Sequence, residues 1–306
     1  MRDNCLGSPK GRLAVMEGFT DIHCHGGGGF SFSDPNPDHI AIAIATHREH
    51  GTTTQIASLV TEPLERLHLQ IRNLLPFVDD GSLAGIHLEG PYLSRAKCGA
   101  HDPKLLRAPC LDEIRELIKV GEGHIKMMTI APELPNALDS IRFLIDMNVT
   151  VALGHSNASE EVAIRAIDAG ATVVTHMFNG MPTFDHRSGT ITNAVLLNSQ
   201  INFEIILDGV HVNHSAVELL LKLAPDRIIL ITDAMSAAGG GDGSYTMGDL
   251  AVTVSGGVAR LVSNDSLAGS TLTMDAAYNR LISEHHVSAA VARSAAIDLG
   301  KRTLRI

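Results

Sequence analysis

The sequence predicts an α/β chain folded as a (β/α)8 barrel, and three observations carry that reading. Eight short apolar runs alternate with segments of helical spacing, the order expected when parallel strands are each followed by a helix. The runs are near-continuously apolar, as strands covered on both faces are. Five of them end in a residue able to bind a metal or move a proton, and such a barrel places its chemistry at the C-terminal ends of its strands. An open doubly wound sheet also alternates, but it gathers ligands at one switch point. Here they come from runs one, three, five, six and eight.

The first run, residues 18–22, ends in His23-Cys24-His25. A helix over 39–50 aligns Ile40, Ala43, Ile44 and His47 on one face, and residues 53–59 form the second strand. A helix over 64–78 leads to the third run, 84–88, which ends in Glu89. Helices over 111–120 and 137–147 flank the fourth strand, 125–130, and the fifth run, 150–154, ends in His155. A helix over 160–169 precedes the sixth run, 171–175, ending in His176, and the seventh strand spans 201–207. The last repeat is a helix over 215–223 and the run 228–232, ending in Asp233. Asp112 and Asn213 are expected N-caps, and Gly51, Gly121 and Gly170 expected stops. Residues 245–261 alternate around Gly256-Gly257 and predict a β-hairpin inserted after strand eight, followed by a closing helix over 272–283. No clear element is expected beyond it, and no repeat or linker divides the chain.

At 306 residues and 44% apolar composition the chain can bury a full core. Its net charge is −10 and no Lys/Arg-rich block occurs, which argues against nucleic acid or an acidic membrane as partner. Cys5, Cys24, Cys98 and Cys110 are widely spaced without a CxxC pair, as reduced thiols of a cytoplasmic protein are. No apolar stretch is long enough to span a bilayer, and the first ten residues lack the apolar core of a signal peptide. A cytoplasmic location is the expectation.

His23 and His25 lie two apart on a strand, so their side chains share one face and can grip one ion. A lone His-X-His would more often be two unrelated loop residues; the matching positions of Glu89, His155 and His176 shift the balance. Two imidazoles and a carboxylate leave a coordination position open, as a catalytic zinc site does. Asp233 could be a further ligand, an N-cap or a general base, and the base role is favoured. His211 can donate to an oxyanion; the alternative is a surface loop histidine. Of sixteen histidines, His39, His47, His50, His68, His124, His285 and His286 are expected to lie away from the catalytic ends. The four glycines 26–29 permit close backbone approach but lack the Gly-Lys-Ser/Thr ending of a phosphate loop. Residues 267–271 are expected to open the last helix, where backbone N–H groups could hold a polar ligand.

Phe19-Thr20-Asp21-Ile22-His23-Cys24-His25-Gly26, His87-Leu88-Glu89-Gly90-Pro91-Tyr92, Gly154-His155-Ser156, Thr175-His176-Met177-Phe178-Asn179, Asp208-Gly209-Val210-His211, Thr232-Asp233-Ala234-Met235 and Leu267-Ala268-Gly269-Ser270-Thr271 follow one another in that order. Over residues 17–300 the chain thereby resembles the N-acetylglucosamine-6-phosphate deacetylase family of the amidohydrolase superfamily. The resemblance implies a TIM-like metal-dependent hydrolase barrel that removes acetate from an amino-sugar phosphate. It implies that Glu89, His155 and His176 bind the main metal and that His23 and His25 are available for a second. Zinc is the expected ion, with iron, manganese or cobalt as alternatives. Asp233 would be the catalytic acid/base, and His211 would polarise the acetyl carbonyl. Ala100, His101, Asn179, Gly180, Leu267, Ala268 and Gly269 match substrate-contacting positions. Arg187 matches an arginine that reaches a neighbouring subunit's substrate phosphate, which implies a homodimer; on its own it would read as a solvated loop charge. Relatives of hydantoinase type bridge two metals with a modified lysine ending strand four, whereas Lys126 lies near the start of that strand.

One departure affects the domain plan. Family members carry a small β-sandwich built from segments flanking the barrel, and here it is expected to be missing or vestigial. The plan is then a residual segment 1–16, a barrel over 17–300 and a truncated tail 301–306. Two further readings follow: a truncated, catalytically silent barrel that keeps metal or sugar-phosphate binding, or a deacetylase of another N-acetylated amino-sugar phosphate. Cys98, in the segment 95–101, has no assigned role.

Overall fold

Eight parallel strands stand side by side in chain order in the computed structural model, which describes residues 18–306. They are β1 (Phe19–Asp21), β2 (Thr52–Leu59), β3 (Gly85–Glu89), β4 (Ile125–Ile130), β5 (Thr150–Leu153), β6 (Val173–Val174), β7 (Asn202–Ile206) and β8 (Ile228–Ile231). Just past β1 and β8 the ring closes: the Asp233 amide donates to the His23 carbonyl at 2.8 Å, and the His25 amide donates to the Ala234 carbonyl at 2.8 Å. Asp21 stitches the same seam, accepting from the Thr232 hydroxyl at 2.6 Å and from the His23 amide at 3.2 Å. The (β/α)8 barrel read from the sequence is therefore the fold. The expected segment 1–16 and Cys5 lie outside the described residues.

Seven helices, α1 (Pro37–Glu49), α2 (Leu64–Asp79), α3 (Leu111–Val120), α4 (Ala137–Asp146), α5 (Glu160–Asp168), α6 (Ile191–Leu197) and α7 (His214–Leu223), alternate with the strands, and α8 (Met274–His285) follows the insertion. Their apolar stripes pack on the strands, as Leu67, Ile71 and Leu74 of α2 do. Asn213 caps α7 by accepting from the Ser215 amide at 2.8 Å. Asp112 does not cap α3: Cys110 holds that position and Asp112 sits in the first turn, where a carboxylate still complements the helix dipole. The sequence reading passed over α6, which is only seven residues long and buried nearly all round, so no polar face marks it.

Three expectations need correction beyond β8. The inserted hairpin is a three-stranded antiparallel sheet, β9 (Gly243–Met247), β10 (Leu250–Ser255) and β11 (Val258–Leu261). A second turn at Gly248 (φ +54°), left-handed backbone that glycine adopts freely, adds the extra strand. Val252 and Val254 point inward and Thr253 and Ser255 outward, giving the insertion its own small core with Met247, Ala259 and Leu261. Residues 267–271 do not open a helix. They bridge Ala234 and Arg260 and tie the insertion to the barrel, and α8 starts later, after Thr273. The expected tail 301–306 is helical through Leu304: α9 (Ala289–Arg293), a π turn (Ser294–Asp298) and α10 (Leu299–Leu304) form one continuous stretch. There the Thr303 carbonyl accepts from the Thr150 hydroxyl at 3.0 Å and the Thr303 hydroxyl accepts from the Asn202 amide group at 3.2 Å. Both partners start strands, so this stretch covers the N-terminal end of the barrel. No described helix is long and apolar enough to cross a membrane.

Candidate active site

At the opposite end the barrel strands deliver their terminal side chains into one cavity of about 270 Å³. His25, Glu89, His101, His155, His176, His211 and Asp233 all line it, with Asn179, Gly180, Ala100, Leu267 and Gly269 around them. His23 lies just beneath, fully buried. Ala268 is buried and does not face the cavity, and Arg187 is exposed in the loop 182–189, outside the cavity of its own chain. Among the described residues, no lysine or arginine lines the cavity.

Glu89 organises the donors. Its Oε1 is 3.1 Å from His155 Nε2 and 3.1 Å from His176 Nε2, and those two nitrogens are 3.0 Å apart. Its Oε2 faces the other way, 3.1 Å from His25 Nε2 and 3.4 Å from His23 Nε2, with Asp233 Oδ1 3.3 Å from His25. These separations approach the roughly 3.3 Å edge of a tetrahedron with zinc–ligand bonds of about 2.0–2.1 Å. Hydrogen bonds behind the rings agree. His155 Nδ1 donates to the Lys97 carbonyl at 2.8 Å, His25 Nδ1 to the Ser58 carbonyl at 3.1 Å, and His23 Nδ1 to Glu204 Oε2 at 3.0 Å. Each bond leaves the Nε2 lone pair aimed at the cluster, the tautomer a metal ligand requires. The residues present therefore fit one or two divalent ions.

The backbone is shaped to make this convergence possible. His155, His176 and Asp233 all hold positive φ (+47°, +28° and +47°) at the second residue past their strands. Such conformations cost on the order of 1–3 kcal/mol each and concentrate at functional sites. The His155 ring is wedged between two glycines: a Cβ on Gly99 or Gly180 would approach it to 3.0 or 3.1 Å. Cys98 lies between Lys97 and Gly99 of this wedge, half-buried with a free thiol.

Electrostatics sort the ionisable groups. Burial pushes the Glu89 carboxyl upward, but His23, His101, His155 and His176 outweigh it and hold the carboxyl well below its ordinary range. Asp233 is likewise penalised by burial, yet His23 and His25 bring it down to about 2. Burial drives His101 the other way, to about 4, so its ring is neutral; Nδ1 accepts from the Thr61 amide at 3.3 Å and Nε2 faces Glu89 at 3.6 Å. His211 Nδ1 donates to Asp208 Oδ2 at 2.7 Å. That contact fixes the ring at the cavity wall.

Several contributors escaped the sequence reading. Glu204, inside β7, braces His23 from behind. His87, inside β3, bridges the Ser58 and Thr129 hydroxyls at 2.9 and 2.8 Å and packs edge-on against His23. Both are polar residues in mid-strand, and a charged or imidazole group in a buried apolar run is itself a signal of a paired function. His47, on the buried face of α1 as its spacing predicts, donates from Nε2 to the Gly26 carbonyl at 2.9 Å and lies 3.3 Å from Cys24 Sγ. Met247, from the end of β9, supplies an apolar wall of the cavity.

Residues 14–254 match the family model described as the Amidohydrolase family. The chain belongs to the amidohydrolase family. Among its relatives, the N-acetylgalactosamine-6-phosphate deacetylase of Escherichia coli O157:H7 is 38% identical over 269 residues, covering 86% of this chain and 71% of that protein. The N-acetylglucosamine-6-phosphate deacetylase of Lysinibacillus sphaericus is 35% identical, covering 87% and 70%. Among solved structures, a mutant N-acetyl-D-glucosamine-6-phosphate deacetylase from Mycobacterium smegmatis in complex with N-acetyl-D-glucosamine-6-phosphate superposes with a TM-score of 0.92. It is 42% identical and the match covers 95% of this chain and 77% of that one. This amidohydrolase thus shares both barrel and sequence with sugar-phosphate deacetylases.

Proposed function

We propose that this amidohydrolase releases acetate from N-acetylglucosamine 6-phosphate, yielding glucosamine 6-phosphate. The observation that carries the reading is the divided donor set around Glu89, opened to a small-molecule cavity and carried by a chain whose relatives are deacetylases of this class. Glu89, His155 and His176 would hold one divalent ion, and His23 and His25 would be available for a second; zinc suits the nitrogen-rich set. A metal bound there would supply Lewis acidity to the acetyl group and to water. Asp233, held as a carboxylate, takes the proton of the attacking water and delivers it to the departing nitrogen. His211, its ring held by Asp208, polarises the acetyl carbonyl as negative charge develops on its oxygen. Ala100, His101, Asn179, Gly180, Leu267 and Gly269 orient the sugar.

Among the described residues the cavity offers no lysine or arginine for the 6-phosphate, while Arg187 is exposed outside it. This supports a homodimer in which Arg187 of one copy meets the phosphate in the other, through the paired donors of its guanidinium. A charge-assisted bond worth about 1.5–3 kcal/mol corresponds to roughly 10- to 150-fold. N-acetylglucosamine is therefore expected to show kcat/KM lower by at least that factor than its 6-phosphate, and equal rates would refute the phosphate assignment. Arg187→Leu is expected to raise KM for the phosphorylated sugar alone, and sedimentation should show two copies per particle. A second reading, the galacto epimer as substrate, is favoured by the E. coli relative; both epimers belong in the assay. A silent barrel fits less well, because the proposed ligands, base and oxyanion-polarising residue all converge at the cavity. The absence of a membrane-crossing helix among the described residues fits a cytoplasmic enzyme.

A further inference from the structure

Glu204 is the only charged residue of β7, and its side chain is completely buried in the barrel interior. An ionised carboxylate there is costly unless it is paired. Its partners belong to the two halves of the donor set: Oε2 accepts from His23 Nδ1 at 3.0 Å and from the His176 amide at 3.3 Å. The first contact decides a chemical question. An imidazole with its proton on Nδ1 presents the Nε2 lone pair, and the acceptor behind the ring sets that choice. For His155 and His25 a backbone carbonyl does this; for His23 only the Glu204 side chain does. The His176 amide has further support, because the next amide, Met177, donates to the Glu204 carbonyl at 2.8 Å irrespective of side chain.

We propose that Glu204 is a positioning residue for the second divalent ion, fixing the His23 tautomer and orientation through the bond to Nδ1 and so making the His23–His25 half of the site able to bind metal. The proposal rests on the two-ion reading above. It assigns different fates to the two halves when Glu204 is changed. The His23–His25 ion loses both a charged brace and a fixed lone pair. The Glu89–His155–His176 ion loses one longer contact to a backbone that β-pairing also holds.

The test is competition for zinc between the full chain and a colorimetric chelator, with folding followed by circular dichroism. Wild type is expected to hold two zinc ions. Glu204→Met, similar in length but without an acceptor, should weaken one of them by about 10- to 100-fold, the usual effect of removing such a brace. Glu204→Gln keeps an acceptor and loses the charge, so its loss should lie near the lower end, about tenfold. If Met at this position prevents folding, the Gln variant alone decides. In a His25→Ala background, which removes the second ion beforehand, changing Glu204 should leave the remaining affinity nearly unchanged; a purely structural role would weaken it in both backgrounds and overturn the proposal. Unaltered binding of both ions in the Glu204 variants would also overturn it. A wild type that holds no zinc tightly would overturn the metal reading itself and this proposal with it.

Discussion

Asp233→Asn is expected to keep its full metal content and lose turnover by about 10²–10⁴-fold, the usual worth of a positioned general acid–base. Asparagine preserves the shape and one oxygen of the side chain, so the contact that Asp233 Oδ1 makes 3.3 Å from His25 Nε2 can persist. It cannot accept and return a proton. Asp233 also occupies a left-handed backbone position and is 8% exposed at the cavity wall, placed to meet a reacting water. The check is metal analysis beside single-turnover acetate release. A variant that turns over normally would refute the base role, and one that loses an ion would make Asp233 a ligand instead.

Glu89→Gln has the other large expected effect, and it acts on binding. Because the two carboxylate oxygens face different histidine pairs, the amide can offer a lone pair to only one of them and sets an N–H against the other. Metal content should fall by at least one ion per chain, with activity following it. In the metal-free protein the buried histidines would lose one of the carboxylates that face them, with Asp233 and Glu204 remaining. Removing one partner of a buried ionic group typically costs about 3–5 kcal/mol, so the melting temperature should drop as well. Differential scanning calorimetry of metal-stripped variant and wild type measures this directly. A Glu89→Gln protein that retains two ions would show that the donors act separately.

The barrel and most of the cavity are legible in the sequence for one physical reason. Strands buried on both faces must be apolar, so a His, Glu or Asp at the end of such a run stands out and marks the rim. Glu204 and His87 are hidden by the same logic, since they sit inside runs that read as plain strand; their partners lie 181 residues away in His23 and 42 residues away in Thr129. Long-range pairing leaves no local pattern. The left-handed backbone at His155, His176 and Asp233 is equally silent, because these side chains give no hint of φ. Gly248 marks a turn, yet the stronger Gly256-Gly257 signal drew the hairpin and left one strand out. The C-terminal stretch is rich in alanine and short of amphipathic contrast, so α9 and α10 gave no stripe to read even though Ala295, Ala296 and Leu299 are buried.

The most direct test is acetate release from N-acetylglucosamine 6-phosphate by protein whose metal content has been counted. Saturable release that vanishes when the metal is stripped by a chelator and returns with added zinc is the predicted result. A metal-replete protein that frees no acetate from either sugar-phosphate epimer, or one that works equally well when stripped, would contradict it.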